Sequence, residues 1–361
     1  MFTHYILTTE VKPCMLRQNR TELSNCSFAK TVMMLIIILY HSILDINSSL
    51  NGASGNDYAV VSCFNSWLAT FHNYTFVLIS GYIFYFIKYE NDRYKQFIPF
   101  VKKKFNRLII PYFFILIVWA IPFYFILFSS SFNLKGFIVS YILGTTPSQL
   151  WFLLMLFWTF VFFFKLSDFV KNNTKVGIII VILLHCVGVV ATHFVPNVFR
   201  IFDGLGFLIF FYIGFLIRQY NLLHKINTPI IGGLVVADVI MFVIYKKLDG
   251  SDSMMIKLFN ILGVQLALNI IGCILAFVVL QRLAALVNFE NNKVYKYCEK
   301  RSMGIYLLHQ QIVHICWVVL SGKLNAYIII PITFITSLIL SAVIFDLLCK
   351  FKTTRFLVGE K

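Results

Sequence analysis

The sequence predicts an all-α integral membrane protein of about ten transmembrane helices with both termini in the cytoplasm, and three observations carry that expectation. The first is composition. The 361 residues are 59% hydrophobic and 13% charged, with a mean hydropathy of +0.82, whereas soluble domains carry about 25% charged residues. A surface this apolar needs lipid as its solvent. The second is segmentation: windows of roughly 17–25 apolar residues are long enough to cross a bilayer as helices. Ten occur, at about 28–47, 66–88, 108–129, 149–167, 176–195, 201–218, 228–246, 258–281, 302–320 and 326–349. Their apolar runs are continuous rather than alternating, which argues against a barrel. Helices are then the means of satisfying the backbone in lipid. The stretch 136–146 is too short to span and fits an interfacial or re-entrant position.

The third observation is charge asymmetry. With loops on alternating sides, twenty-four of the 31 Lys and Arg residues fall on one side and six on the other, Lys30 lying just inside the first span. The positive-inside rule assigns the rich side and both termini to the cytoplasm. Loops facing anionic lipid headgroups thereby account for the net charge of +16, and nucleic acid is not an expected partner. The expected organisation is a cytoplasmic amino-terminal arm (1–27), a ten-helix membrane domain (28–349) and a basic cytoplasmic tail (350–361). The arm is too polar to read as a cleaved signal peptide. The eight cysteines show neither metal-ligand nor disulfide spacing, so no metal is expected.

Ionisable groups inside spans are costly and therefore mark candidate sites. In the first span Lys30 and His41 are 11 residues apart. Three helical turns take about 10.8 residues, so the two share a face, roughly 16 Å apart along the axis. Asp45, four residues beyond His41, shares that face and is placed to orient the imidazole. Lys30 suits a phosphate at the cytosolic mouth, and His41 suits proton or acyl transfer in the outer half. The plainer accounts are a snorkelling lysine and a histidine bonded to a neighbouring helix. His72 in the second span lies at a similar depth to His41, and the two imidazoles are expected to be able to meet. Ser80-Gly81 suits helix packing. Lys104 and Arg107 sit one helical step apart before the third span, where they suit donor phosphates or, more plainly, anionic lipid. Late in the chain, Gly304 to His314 places His309, two glutamines and a second imidazole in one span.

Together these residues resemble the acyltransferase-3 family of integral-membrane O-acyltransferases. Lys30 and His41 match its basic residue and His in the first span, and Phe71-His72 to Phe76 with Ser80-Gly81 its second. Lys104-x-x-Arg107 before Pro111-Tyr112 matches its third. Leu150-Trp151-Phe152-Leu153, Phe211-Tyr-Ile-Gly214 and Ile305-Tyr306-Leu307-Leu308-His309 follow in the family's order. Lys30 and Lys104 stand where the family usually has Arg, and Tyr74 where it often has Pro. The resemblance implies ten helices, an acyl-CoA donor (acetyl-CoA most commonly) taken from the cytosol, and a sugar hydroxyl as extracytoplasmic acceptor, in the inner or plasma membrane. It implies donor binding by Lys30, Lys104 and Arg107, and catalytic, orienting or relay roles for His41, His72, Asp45 and His309. Expected partners are membrane lipids and the polysaccharide-synthesis machinery. The rival functions are an exporter or flippase of an envelope glycan, with the same histidines lining its path, and a scaffold for a polysaccharide synthase.

Overall fold

In a computed structural model, residues 3–44, 58–128, 134–145 and 148–360 are described, with the backbone alone for 3–20, 127, 128, 134, 137, 141 and 193. Sixteen helices fill these segments, with no strand among the described residues. They are α1 (Thr3–Leu44), α2 (Ala59–Ala69), α3 (His72–Tyr85), α4 (Phe97–Ile115), α5 (Ile121–Phe128), α6 (Leu134–Ile142), α7 (Trp151–Asn172) and α8 (Thr174–Phe194). There follow α9 (Ile201–Gly206), α10 (Leu208–Gln219), α11 (Thr228–Asp249), α12 (Met254–Phe259), α13 (Leu266–Leu286), α14 (Lys293–Leu320), α15 (Ala326–Leu348) and α16 (Lys352–Leu357). Turns of π-helix continue α3 to Glu90, join α4 to α5 and join α12 to α13.

Among the described residues, eight helices are long and apolar enough to cross a membrane, or nine if the bent pair 198–206 and 208–219 counts as one span. Helix α3 is not in that set, although it runs through the middle of the bundle with His72, Val77, Leu78, Gly81 and Tyr82 buried. Two of the expected spans are not straight. The one expected over 66–88 breaks at Thr70–Phe71, between α2 and α3. The one expected over 201–218 bends by 46° at Phe207.

Each break leaves a carbonyl that lipid cannot solvate, and an imidazole reaches it. Leu68 O receives the Phe71 N–H at 3.3 Å, and His72 donates to it from Nδ1 at 2.7 Å. His185 donates from Nδ1 to Gly206 O at 2.6 Å.

The core is aromatic where α3, α7 and α10 meet. Phe163 lies 5.6, 4.6 and 5.2 Å from Phe84, Phe211 and Phe215, measured between ring centroids, within the range where tilted and edge-on pairs attract. Backbone proximity holds α3 against α10. A Cβ on Gly81 would fall 1.9 Å from Phe211 O, and one on Gly214 would fall 1.8 Å from Leu78 O. Small residues permit such approaches in membrane bundles.

Helices α3 and α10 are also tied to α1 at one end, by Arg218 of α10. Its Nε and Nη2 donate to both oxygens of Glu90 at 2.7 Å, and Nη1 bonds Glu22 of α1 and, at 3.0 Å, Tyr82 of α3. Counted in the sequence only as a loop cation, Arg218 is a neutralised link between α1, α3 and α10.

Replacing Gly81 or Gly214 by Val is expected to force the two helices apart at a cost above about 3 kcal/mol, beyond ordinary overpacking. Detergent-extracted protein would then lose its monodisperse peak in fluorescence-detected size exclusion. A variant that keeps the wild-type profile and melting temperature contradicts this account of the α3–α10 contact.

Candidate active site

Five helices converge on one cavity of about 190 Å³. Lys30 and Met34 come from α1, Phe76 and Ser80 from α3, and Lys104, Arg107 and Leu108 from α4. Phe152, Leu153, Leu156 and Phe160 come from α7, and Ser302, Met303 and Tyr306 from α14. The three cations expected to hold a donor are thus brought together from two separate helices. Among the described residues, none of the three forms an ion pair with a carboxylate. Lys104 instead sets its Nζ 3.4 Å from the Phe160 ring centroid and 5.4 Å from that of Phe100. An aromatic face attracts a cation but does not neutralise it. Half-buried Lys30 and Lys104 and the exposed Arg107 thus line one cavity and are suited to an anion.

The opposite end of this track is built of imidazoles. His309 of α14 faces His41 of α1, with ring centroids 5.1 Å apart. His309 is fully buried. Its Nδ1 donates to Tyr306 O at 2.8 Å, with Ile305 O at 3.2 Å. A carbonyl can only accept, so Nδ1 carries the proton and Nε2 presents a lone pair. That Nε2 is buried without a hydrogen-bond partner among the described residues. The His72 tautomer is set in the same way by Leu68 O.

Tyr306 connects the two ends. It lines the cavity, its ring centroid is 5.9 Å from that of His309, and its hydroxyl donates to Gln149 O. Gln149 is held in turn by Gln310 and Gln311 of α14, at 2.6 and 2.8 Å. Helices α1 and α14 run in the same direction through the site, because Lys30 meets Ser302 and Tyr306 at one level and His41 meets His309 further along. Helix α3 runs oppositely, with Ser80 at the cationic end and His72 at the other.

His41 and His72, expected to be able to meet, are each packed against a further ring. Tyr40 contacts both rings, at centroid distances of 5.1 and 4.7 Å, and the imidazole against His41 is His309. A depth estimate along one helix axis fixes height but not rotation, so it could not select between two partners. Asp45 lies outside the described residues. Sequence reasoning passed over Tyr40, Ser302 and Gln149, whose residue types are common at helix ends and interfaces. Tyr306 was quoted only as part of a motif; its spacing of three from His309 was the available signal.

Residues 27–346 match the family model described as an acyltransferase domain. No curated protein and no solved structure matches the chain.

The cationic end is expected to bind a diphosphate-bearing anion. Purified protein should melt at a higher temperature with free coenzyme A than without it. Arg107→Gln or Lys104→Gln should each weaken the apparent affinity about ten-fold, the scale of one charge-assisted hydrogen bond. Equal affinity in wild type and both variants would dissociate these cations from anion binding.

Proposed function

Because the chain belongs to the acyltransferase-3 family of membrane acyltransferases, we propose that it transfers an acetyl group from cytosolic acetyl-CoA to a hydroxyl of an extracytoplasmic polysaccharide, across the inner or plasma membrane. The observation that carries this reading is the track itself. A cavity with three unneutralised cations lies at one level, an imidazole pair lies further along the same helices, and Tyr306 borders both.

In this reading Lys30, Lys104 and Arg107 hold the donor phosphates at the cytosolic face. The spacing of Lys30 and His41, roughly 16 Å along the helix axis, is comparable to an extended pantetheine arm, which delivers the thioester to the imidazoles. The acceptor hydroxyl gives its proton to the His41–His309 pair as its oxygen attacks the thioester carbonyl. His309 is prepared for this because its Nδ1–H is committed to Tyr306 O, leaving the Nε2 lone pair to accept. The tetrahedral adduct collapses with cleavage of the C–S bond. The thiolate leaves and takes up the proton held by the imidazoles, giving an ester and free thiol. Imidazole is suited to both proton transfers near neutral pH. The walls of Phe76, Phe152 and Tyr306 exclude water, which would otherwise compete as acceptor. His72 has an orienting or relay role beside Tyr40.

The reading is tested by mass spectrometry of envelope polysaccharide from cells expressing wild type, His41→Ala, His309→Ala or no protein, at matched membrane abundance. O-Acylation should require the wild-type chain. Each histidine variant should lower it by about 10²-fold or more, as expected for loss of a general base. Unchanged acylation without the protein, accompanied by reduced export of the polymer, would replace this reading with the exporter.

A further inference from the structure

Helix α11 carries an acid that the track does not use. Asp238 is the one residue of α11 counted as buried among those described, while Val235, Val236, Val239, Ile240 and Val243 around it are exposed to the lipid side. A carboxyl group in mid-span is costly, and a purely packing contact would be served by an aliphatic side chain. Asp238 Oδ2 accepts the Trp67 Nε1–H at 2.8 Å. Its Oδ1 is buried without a hydrogen-bond partner among the described residues. Helix α13 closes the third side: a Cβ on Gly272 would lie 3.2 Å from Oδ1 and 3.1 Å from Phe71 Cβ.

This acid sits behind the helix break. Trp67 lies in the last turn of α2, one residue before Leu68, and its ring packs edge-on against Phe71 with centroids 4.9 Å apart. Between Trp67 and Phe71 lies the Leu68 carbonyl that takes the His72 Nδ1–H. Neither Gly nor Pro occupies positions 66–75, so no residue of special backbone geometry holds the two helix ends in register.

We propose that Asp238 is a positioning residue for His72. Through Trp67 it fixes the end of α2, keeps the Leu68 carbonyl aligned with Nδ1, and so holds His72 in the tautomer whose Nε2 accepts. The inference rests on the acyl-transfer reading, in which His72 orients or relays. Asp238 itself touches neither donor nor acceptor and acts through the indole.

Inverted membrane vesicles from expressing cells, given acetyl-CoA, provide the test, with acetyl ester on endogenous carbohydrate as readout. Asp238→Asn keeps an acceptor oxygen for the indole and is expected to stay within about two-fold of wild type. Asp238→Leu and Trp67→Phe each break the hydrogen bond and are expected to lower kcat by about 10²-fold, the scale of a small misplacement of a catalytic group, with KM for acetyl-CoA unchanged. Because both remove one interaction, the double variant should be no slower than either single variant. Trp67→Phe keeps an aromatic ring at the position that packs on Phe71 and keeps the test valid if Asp238→Leu fails to accumulate. A loss in Asp238→Asn as large as in Asp238→Leu, additive losses, or a change confined to KM would overturn the proposal. If wild type transfers acetyl and both disrupting variants keep full kcat, this inference alone falls. If wild type transfers none, the acyl-transfer reading falls first and takes the inference with it.

Discussion

Helix α3 keeps its central place because Gly81 and Gly214 let it meet α10 backbone to backbone. No side chain separates the helices there, and a Cβ at either position would collide with a carbonyl oxygen. The rest of the site is measured from this contact. Toward one end α3 presents Ser80 to the cationic cavity, and toward the other it begins with His72. Beyond the cavity, Tyr82 and Glu90 enter the Arg218 knot that also binds α1. A shift of α3 along α10 would therefore displace both ends of the track together.

Lipid offers no hydrogen bonds, so the polar groups that shape the bundle bond largely within the protein. The break after α2 is closed by His72 and the end of α9 by His185. Gln149 is tied between the start of α7 and α14 by its own amide and backbone. Arg218 meets two carboxylates. Against that background Lys30, Lys104 and Arg107 differ. They share a cavity and, among the described residues, no carboxylate. Arg218 is a structural cation by its ion pairs, whereas these three have no carboxylate among the described residues, although all four lie within or at the ends of membrane-spanning segments.

The spatial separation of charges from imidazoles suits a transfer that starts on one side of a membrane and ends on the other. Cations grip phosphate well but would hinder protonation of a nearby imidazole by repulsion. Distance along α1 and α14 keeps the cations and the imidazoles apart, and Phe76, Phe152 and Tyr306 line the cavity beside them. Tyr306 belongs to both environments: its ring lines the cavity, its hydroxyl is fixed to the Gln149 carbonyl, and its own carbonyl sets the His309 tautomer.

Much of this was legible in the residues themselves. The apolar windows marked the membrane class, since hydropathy over twenty residues is a local property. The Lys30–His41 spacing placed two groups on one face, because helical periodicity is local too. Lys104 and Arg107 stood out by the same reasoning, and their order along the chain carried the family resemblance. The break at Thr70–Phe71 left no trace, because no Gly or Pro marks it and it is held by Trp67, His72 and a distant Asp238. The pairing of His41 with His309 rather than His72 was equally hidden. Helix rotation is decided by which side chains pack between neighbours, here Tyr40, and not by any one helix. Sequence alone thus determined which residues are available and at what height. Tertiary structure decided which of them touch, because packing around Gly81 and Gly214 sets the rotation and register of α3.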